Sequence, residues 1–280
     1  MFEEVAMRCE TMPGAKLGRY KVLRRIPAEE QMEHYAAVDP ASGVPVILRR
    51  VPLQGNAALK QECEEFARAA GRIVHRNLAY TYEHWIDGDS FWLAQEAVEG
   101  VDLETFASSL SPGEIGGLVE IFRDLSRAVA ELHMNGITLG RITPEDIVVE
   151  PSGNARLVRF FRPSGDRNSA RLRRRVALLS TVASIAPEER VGVPADQSTD
   201  LFMFGVLMYQ TLAGSLPRSF HSYGEPGPAD VLPPIERPSS LNPAIPRELD
   251  DILLDALQPE RSRRTPSFWA LAQRLDSVKL

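Results

Sequence analysis

The sequence is short of lysine: Lys16, Lys21, Lys60 and Lys279 are the only lysines among 32 Lys and Arg residues. Few positions are therefore open to chemistry that needs an amine held at a fixed point, since an arginine stays protonated and cannot take that part. Two cysteines, Cys9 and Cys63, exclude a disulfide framework. The opening "MFEEVAMRCE" has neither a basic start nor an apolar signal core. The longest apolar run, "LFMFGVLMYQTLAG" (201–214), is too short to cross a bilayer comfortably and predicts a buried helix. No internal repeat is visible. A net charge of -6 argues against general nucleic-acid binding, although "RNSARLRRR" (167–175) is locally basic. These absences set the expectation of a cytoplasmic protein with no membrane insertion, no nucleic-acid partner and no metal site.

What is present is a chain of 280 residues, 44% hydrophobic, enough for one large domain or two lobes sharing a cleft. Between Tyr20 and Glu96 the pattern is strand-like: "YKVLRRI", "EHYAAVD", "PVILRRV", "AYTYEHWI" and "SFWLAQE" are separated by turn segments such as "DPASG" and "DGDS". One helix interrupts them in "NAALKQECEEFARAAG", where an Asn cap precedes good helix formers and a Gly follows the last turn. After Gly100 the period changes to that of helices. In "SPGEIGGLVEIFRDLSRAVAELHMNG", Ile115, Leu118, Phe122, Leu125, Val129 and Leu132 recur at spacings of three and four, which predicts a long amphipathic helix with Pro112 in its first turn behind a Ser cap. Further helical patterns run over 200–214, 247–257 and Phe268, Leu271, Leu275, Val278, and the Pro- and Ser-rich stretch 224–246 reads as an ordered surface connection. A strand-rich third followed by a helical remainder predicts an α+β fold of two lobes.

Several motifs in this order resemble those of the eukaryotic-type serine/threonine protein kinases, from about Tyr20 to the C-terminus. "AQEAVEGVDL" resembles the hinge between the lobes, "ITPEDIVV" the end of the catalytic loop, and "IAPEE" (185–189) the end of the activation segment. "STDLFMFGVLMYQTLAGSLP" resembles the central helix of the larger lobe, and "PERSRRTPS" the stretch before the last helix. The resemblance implies a bilobal kinase-like fold: an extension over 1–17, then a domain over 18–280, divided into a small antiparallel β lobe with one main helix (18–96) and a helical lobe (97–280). It also implies structural roles for Glu188 and Arg264 as an ion pair, and for Asp200 as an acceptor of catalytic-loop N–H groups. His75 and His133 fall on packing or capping positions.

The positions that would carry phosphoryl transfer are altered. A kinase cradles phosphates with G-x-G-x-x-G, uses a third-strand lysine, and holds Mg²⁺ with the D-F-G aspartate and a catalytic-loop asparagine. Here Pro27, Glu29 and Met32 stand at the three glycine positions, where Pro27 removes a donor and Glu29, with Glu30, would repel a polyanion. Arg49 stands at the lysine position and Ile47 at the alanine that roofs the base, and Gln95 and Val148 also fall on the base pocket. The helix glutamate aligns with Phe66, with Glu62 or Glu65 as neighbours in register. "GITLGRITPEDIVV" places Arg141 on the catalytic Asp, Thr143 on the Lys and Asp146 on the Asn, and "VRFFRP" places Arg159 on the D-F-G Asp. A guanidinium cannot accept the substrate's proton and repels Mg²⁺.

The reading that follows is a pseudokinase, with ATP and Mg binding weak or absent, acting through a protein partner such as an active kinase or another signalling component. Arg141 and Arg159 are expected to pair with acids such as Asp146 or Glu62. A second possibility is that Arg49, Arg141 and Arg159 bind an anion. Partner-binding candidates are Arg167, Arg171, Arg173, Arg174 and Arg175, near the possible phosphorylation sites Ser169, Ser180 and Thr181. The alternatives are an atypical ATP-binding kinase or nucleotidyl transferase working through Asp146 or Glu145, and a small-ligand sensor whose pocket exposes Gln95.

Overall fold

The computed structural model describes residues 13–27, 32–111, 113–163, 186–190, 192–217 and 235–279. The sequence expectations for Glu29, Glu30, the five arginines from Arg167 to Arg175, Ser169, Ser180 and Thr181 lie outside the described residues. The chain divides into two compact units, one of 1–74, 79–97 and 163–166, the other of 75–78, 98–162 and 167–280.

In the first unit six strands form one antiparallel sheet: β1 (Lys16–Leu17), β2 (Tyr20–Ile26), β3 (Glu33–Val38), β4 (Pro45–Pro52), β5 (Thr81–Asp87) and β6 (Ser90–Glu96), in the order β1-β2-β3-β4-β6-β5. Alternation decides which residues share a face, although β6 is buried on both faces from Ser90 to Gln95. Tyr20, Val22, Tyr35, Ala37, Val46, Leu48, Trp92 and Ala94 share one face and make a core cluster, with Leu17 and Trp85 packed against it. Its aromatic rings run Tyr20–Trp85–Trp92–Tyr35 with centroids 6.0, 6.0 and 5.8 Å apart. The helix α1 (Ala57–Ala70) starts where Asn56 Oδ1 accepts from Leu59 N–H at 3.1 Å, and it buries Cys63, Ala67 and Ala70.

The second unit holds a small sheet of β7 (Val101–Asp102), β8 (Ile147–Val149) and β9 (Ala155–Leu157), paired antiparallel in the order β7-β8-β9. Around it stand α2 (Leu103–Ser108), α3 (Gly116–Met134), α4 (Pro187–Arg190), α5 (Gln197–Ala213), α6 (Arg247–Ala256) and α7 (Phe268–Asp276). The run of apolar residues that predicted a buried helix is α5, enclosed from Thr199 to Tyr209. Phe204 of α5 meets Phe122 of α3 and Phe268 of α7 edge-on, at 5.6 and 5.1 Å. The helix α3 begins four residues later than Pro112 would set it: Ile115 is its N-cap without a side-chain bond, and Glu114 Oε2 accepts instead from Ser111 N–H at 2.8 Å. Ser111 thus holds the turn before the helix rather than the helix itself.

Among the described residues no helix is long and apolar enough to cross a membrane, and no group of three or more His, Cys, Asp and Glu side chains could hold a metal.

Candidate functional site

In the first unit, β4 places Arg49 opposite His34 of β3 and Leu93 of β6, on the face away from the aromatic cluster. Arg49 is 3% exposed. Its Nε donates to Gln95 Oε1 at 2.6 Å, and Gln95 Nε2 passes a donor on to Thr81 Oγ1 at 3.1 Å. Arg49 Nη1 lies 3.4 Å from His34 Nε2; because arginine has no acceptor, that ring nitrogen is the acceptor. The residue at the phosphate-clamp position is therefore held by a buried chain of side-chain amide and hydroxyl. Gln95, expected to open onto a ligand, is 1% exposed and serves Arg49. Ile47 lies between Ala36 and Gln95 in register, Met32 is buried, and Pro27 is exposed.

In the second unit the catalytic loop is anchored from below by α5. Asp200, fully buried, accepts from Leu139 N–H at 2.7 Å and Gly140 N–H at 2.6 Å, while His133 Nε2 lies 2.8 Å from its Oδ2. Gly140 has φ of 67°, the left-handed region that a side chain disfavours, which is where a glycine is useful. His75 Nδ1 accepts from Asn77 N–H at 3.1 Å and burial lowers its pKa, so it acts as a local cap.

Glu188 and Arg264 form a two-pronged pair, with Nη1 to Oε1 and Nη2 to Oε2 both at 2.7 Å. Thr199 Oγ1 donates to Glu188 Oε1 at 2.8 Å, and Arg264 also reaches the carbonyls of Ser198, Gln258 and Pro259. Burial would raise the Glu188 pKa, but the Arg264 bond, its backbone bond and the Thr199 hydroxyl together hold it below the ordinary value.

The three altered positions of the loop differ from the pairing the sequence suggested. Asp146 is fully buried in a 3-10 turn, Pro144–Asp146, and its Oδ2 accepts from Thr143 N–H at 2.8 Å and Thr143 Oγ1 at 3.0 Å. Its ionic partner is neither Arg141 nor Arg159 but Arg162, whose Nη2 lies 2.8 and 2.7 Å from the two carboxylate oxygens. Arg159 instead meets the exposed Glu145 at 3.5 Å, and Arg141 has no partner among the described residues. The physical reason is reach: Arg162 follows a segment whose Val158 N–H bonds Asp146 O at 2.7 Å, which brings the later arginine over the carboxylate. A Mg²⁺ ion does not fit this arrangement, because the carboxylate at the asparagine position is spent on a guanidinium and the D-F-G position is itself an arginine.

Sequence reasoning missed Arg162, His34 and Thr81. Thr143-Pro-Glu-Asp146 does carry a local signal, the spacing of a capping box, for the Thr143–Asp146 half of the arrangement. Val148 pairs with Asp102 and Arg156 in the small sheet. A cavity of about 480 Å³ beside it is lined by Asp102, Glu104, Thr105, Ser108, Ser109 and Glu145.

No protein-family model matches the sequence. The serine/threonine-protein kinase PrkC of Bacillus subtilis is 26% identical over 246 residues, which is 85% of this chain and 37% of that protein. The serine/threonine-protein kinase PknD of Mycobacterium tuberculosis is 25% identical over 264 residues, 92% of this chain and 39% of the relative. The chain thus spans less than two-fifths of the length of these curated relatives. Among solved structures, a double mutant of the Mycobacterium tuberculosis PknI kinase domain matches with a TM-score of 0.71 at 18% identity, covering 95% of this chain and 98% of that one. Rad53 in complex with AMP-PNP gives 0.70 at 18% identity, over 91% of this chain and 64% of that one. By sequence relationship and by architecture, this chain is a homologue of the bacterial serine/threonine protein kinases and has the protein-kinase fold.

Proposed function

We propose that this chain is a pseudokinase, a kinase-fold module that does not transfer phosphate and works in the cytoplasm by binding another protein, such as an active kinase or another signalling component. The observation that carries the reading is the fate of Asp146: the one carboxylate left at a metal-binding position is buried and covered by Arg162. Arg141 and Arg159 stand where the base and the second metal ligand would be. Neither can accept a proton at neutral pH, and both repel a cation.

The first unit supports the same conclusion independently. Arg49 is turned into the Gln95–Thr81 chain, and freeing it for a triphosphate would leave Gln95 Oε1 without this donor inside the protein. ATP and Mg²⁺ are accordingly weak ligands or none in this reading. Recovering phosphoryl transfer would need each tenfold of rate, about 1.4 kcal/mol, from groups other than those present at these positions.

The test uses purified protein with labelled ATP and Mg²⁺ or Mn²⁺, measuring phosphate incorporation into itself and into a generic acceptor protein, alongside melting temperature against ATP concentration. No incorporation and no metal-dependent rise in melting temperature are expected. Incorporation that disappears in Asp146→Ala would overturn the reading in favour of an atypical enzyme working through that acid.

A further inference from the structure

Two arginine–carboxylate pairs in this protein differ in form. Arg264 meets Glu188 as a fork, Nη1 on Oε1 and Nη2 on Oε2, the arrangement that a planar guanidinium favours. Arg162 meets Asp146 through one nitrogen: Nη2 lies 2.8 Å from Oδ1 and 2.7 Å from Oδ2. That nitrogen stands between the two oxygens as a single point of positive charge, the place a free cation takes on a carboxylate.

The carboxylate is held ready for it. Asp146 is fully buried, its Oδ2 accepts from Thr143 N–H and Oγ1, and its main-chain carbonyl accepts from Val158 N–H at 2.7 Å. A buried carboxylate needs an opposite charge beside it. Here the charge comes from four residues beyond Val158, so the segment 158–162 is tied to the turn Pro144–Asp146 at both ends. Phe160 and Phe161, between the two ties, are buried.

We propose that Arg162 is the resident cation of the Asp146 site: a tethered guanidinium takes the place of a divalent metal ion and fixes segment 158–162 in one arrangement that needs no ion from solution. A metal ion dissociates, whereas an arginine is permanently charged and covalently attached. The arrangement is therefore the same whatever the metal concentration. The inference rests on the reading of Asp146 given above, but not on the loss of phosphoryl transfer, and its test contains no ATP, so the two can fail separately.

Melting temperature is measured for the wild type, Arg162→Ala, Arg162→Lys, Arg264→Lys and the double variant Arg162→Ala with Asp146→Asn. The solutions contain EDTA, Mn²⁺ or methylguanidinium at matched ionic strength. The wild type should melt at the same temperature in EDTA and Mn²⁺. Arg162→Ala should melt roughly 8 °C lower, because it strands a buried carboxylate. Methylguanidinium should return about 3 °C of that loss saturably, in this variant and in neither the wild type nor the double variant. Since one nitrogen makes both contacts, an ammonium can replace it: Arg162→Lys should lose less than half of what Arg162→Ala loses, and less than Arg264→Lys, which breaks a fork. Amide hydrogen exchange over 158–162 in the wild type and Arg162→Lys gives a second reading that does not depend on Arg162→Ala folding; protection should be equal in EDTA and Mn²⁺. Metal-dependent melting or protection in the wild type would give a metal ion its own place and overturn the proposal. So would a methylguanidinium response that is absent from a folded Arg162→Ala or that persists without the Asp146 carboxylate.

Discussion

Arg162 Nη2 sits 2.8 and 2.7 Å from the two oxygens of Asp146, and the two side chains are 9% and 1% exposed. Burial makes this pair asymmetric in its response to mutation. Removing Arg162 leaves an uncompensated carboxylate in the interior, so Arg162→Met should lower unfolding stability by about 3–5 kcal/mol. Replacing both partners, as Arg162→Met with Asp146→Leu, removes the stranded charge and should recover most of that loss. Urea denaturation of the single and double variants reads both values. Equal losses in the two would mean that the charge pair is not what holds this segment.

A second ion pair gives a pH dependence. Glu188 is held below its ordinary pKa of 4.5 in the folded state despite burial, so the native state prefers the charged form more strongly than the unfolded chain does. Its contribution is therefore complete above about pH 4.5 and is lost as pH falls through the lower, folded value. The stability difference between wild type and Glu188→Gln should be constant between pH 6 and 8 and shrink as the solution is acidified below pH 4.5. Chemical denaturation at a series of pH values measures it, and a difference that grows on acidification would contradict the assignment.

How much of this was legible beforehand depends on range in the chain. The strands of the first unit are short apolar and aromatic runs between turn segments, alternating at the start of β2 but buried from Ser90 to Gln95 in β6, and α5 follows an apolar run, so both could be read from local pattern. The sign reversal at Arg141 and Arg159 was likewise readable, because it needs only the position of each residue in a motif. The partners were not. Asp146 lies 16 residues from Arg162, and Arg49 lies 46 from Gln95, and no local spacing distinguishes one arginine from another as the one that reaches a given carboxylate or amide. Ser111 and Pro112 suggested a helix start that Glu114 diverted by accepting from Ser111 N–H, a competition between side chain and helix that composition does not resolve.

Gly100 is fixed by close approach rather than by conformation. A Cβ there would overlap Val149 O and stand 2.8 Å from Val148 Cγ1. One of those contacts is backbone in the paired strand β8, which cannot rotate away. Gly100→Ala should cost about 1–3 kcal/mol or more of stability. Gly117→Ala, with open space around it, is the matched control inside α3 and should be neutral or slightly stabilising.

Cys63 offers a test of how well the first unit is closed. Its thiol is fully buried on α1, and burial, with Glu62 beside it, pushes its pKa up to about 12. Because the thiolate is the reactive form, alkylation at pH 8 should leave Cys63 unmodified in the folded protein and label it once the chain is unfolded. Peptide mapping after iodoacetamide treatment separates Cys63 from Cys9.

The bond between Arg49 and Gln95 carries the strongest prediction for the first unit. It is short at 2.6 Å, charge-assisted, and nearly closed to solvent, three features that raise its value above that of an ordinary side-chain bond. Gln95→Leu leaves the Arg49 Nε without this acceptor, and Arg49→Leu leaves Gln95 Oε1 without this donor, so each single change should cost about 1.5–3 kcal/mol. The double variant removes both halves and should cost less than the sum of the two. A double-mutant cycle by urea denaturation gives the coupling, expected at about 1.5 kcal/mol or above. Arg49→Lys provides the functional side of the same argument. The ammonium lacks the Nε–H that meets Gln95, so stability should fall; yet no metal-dependent ATP binding should appear, because the glycine-loop and catalytic-loop changes remain in place. A coupling near zero, or recovery of ATP binding by this one substitution, would show that Arg49 is free for the nucleotide after all.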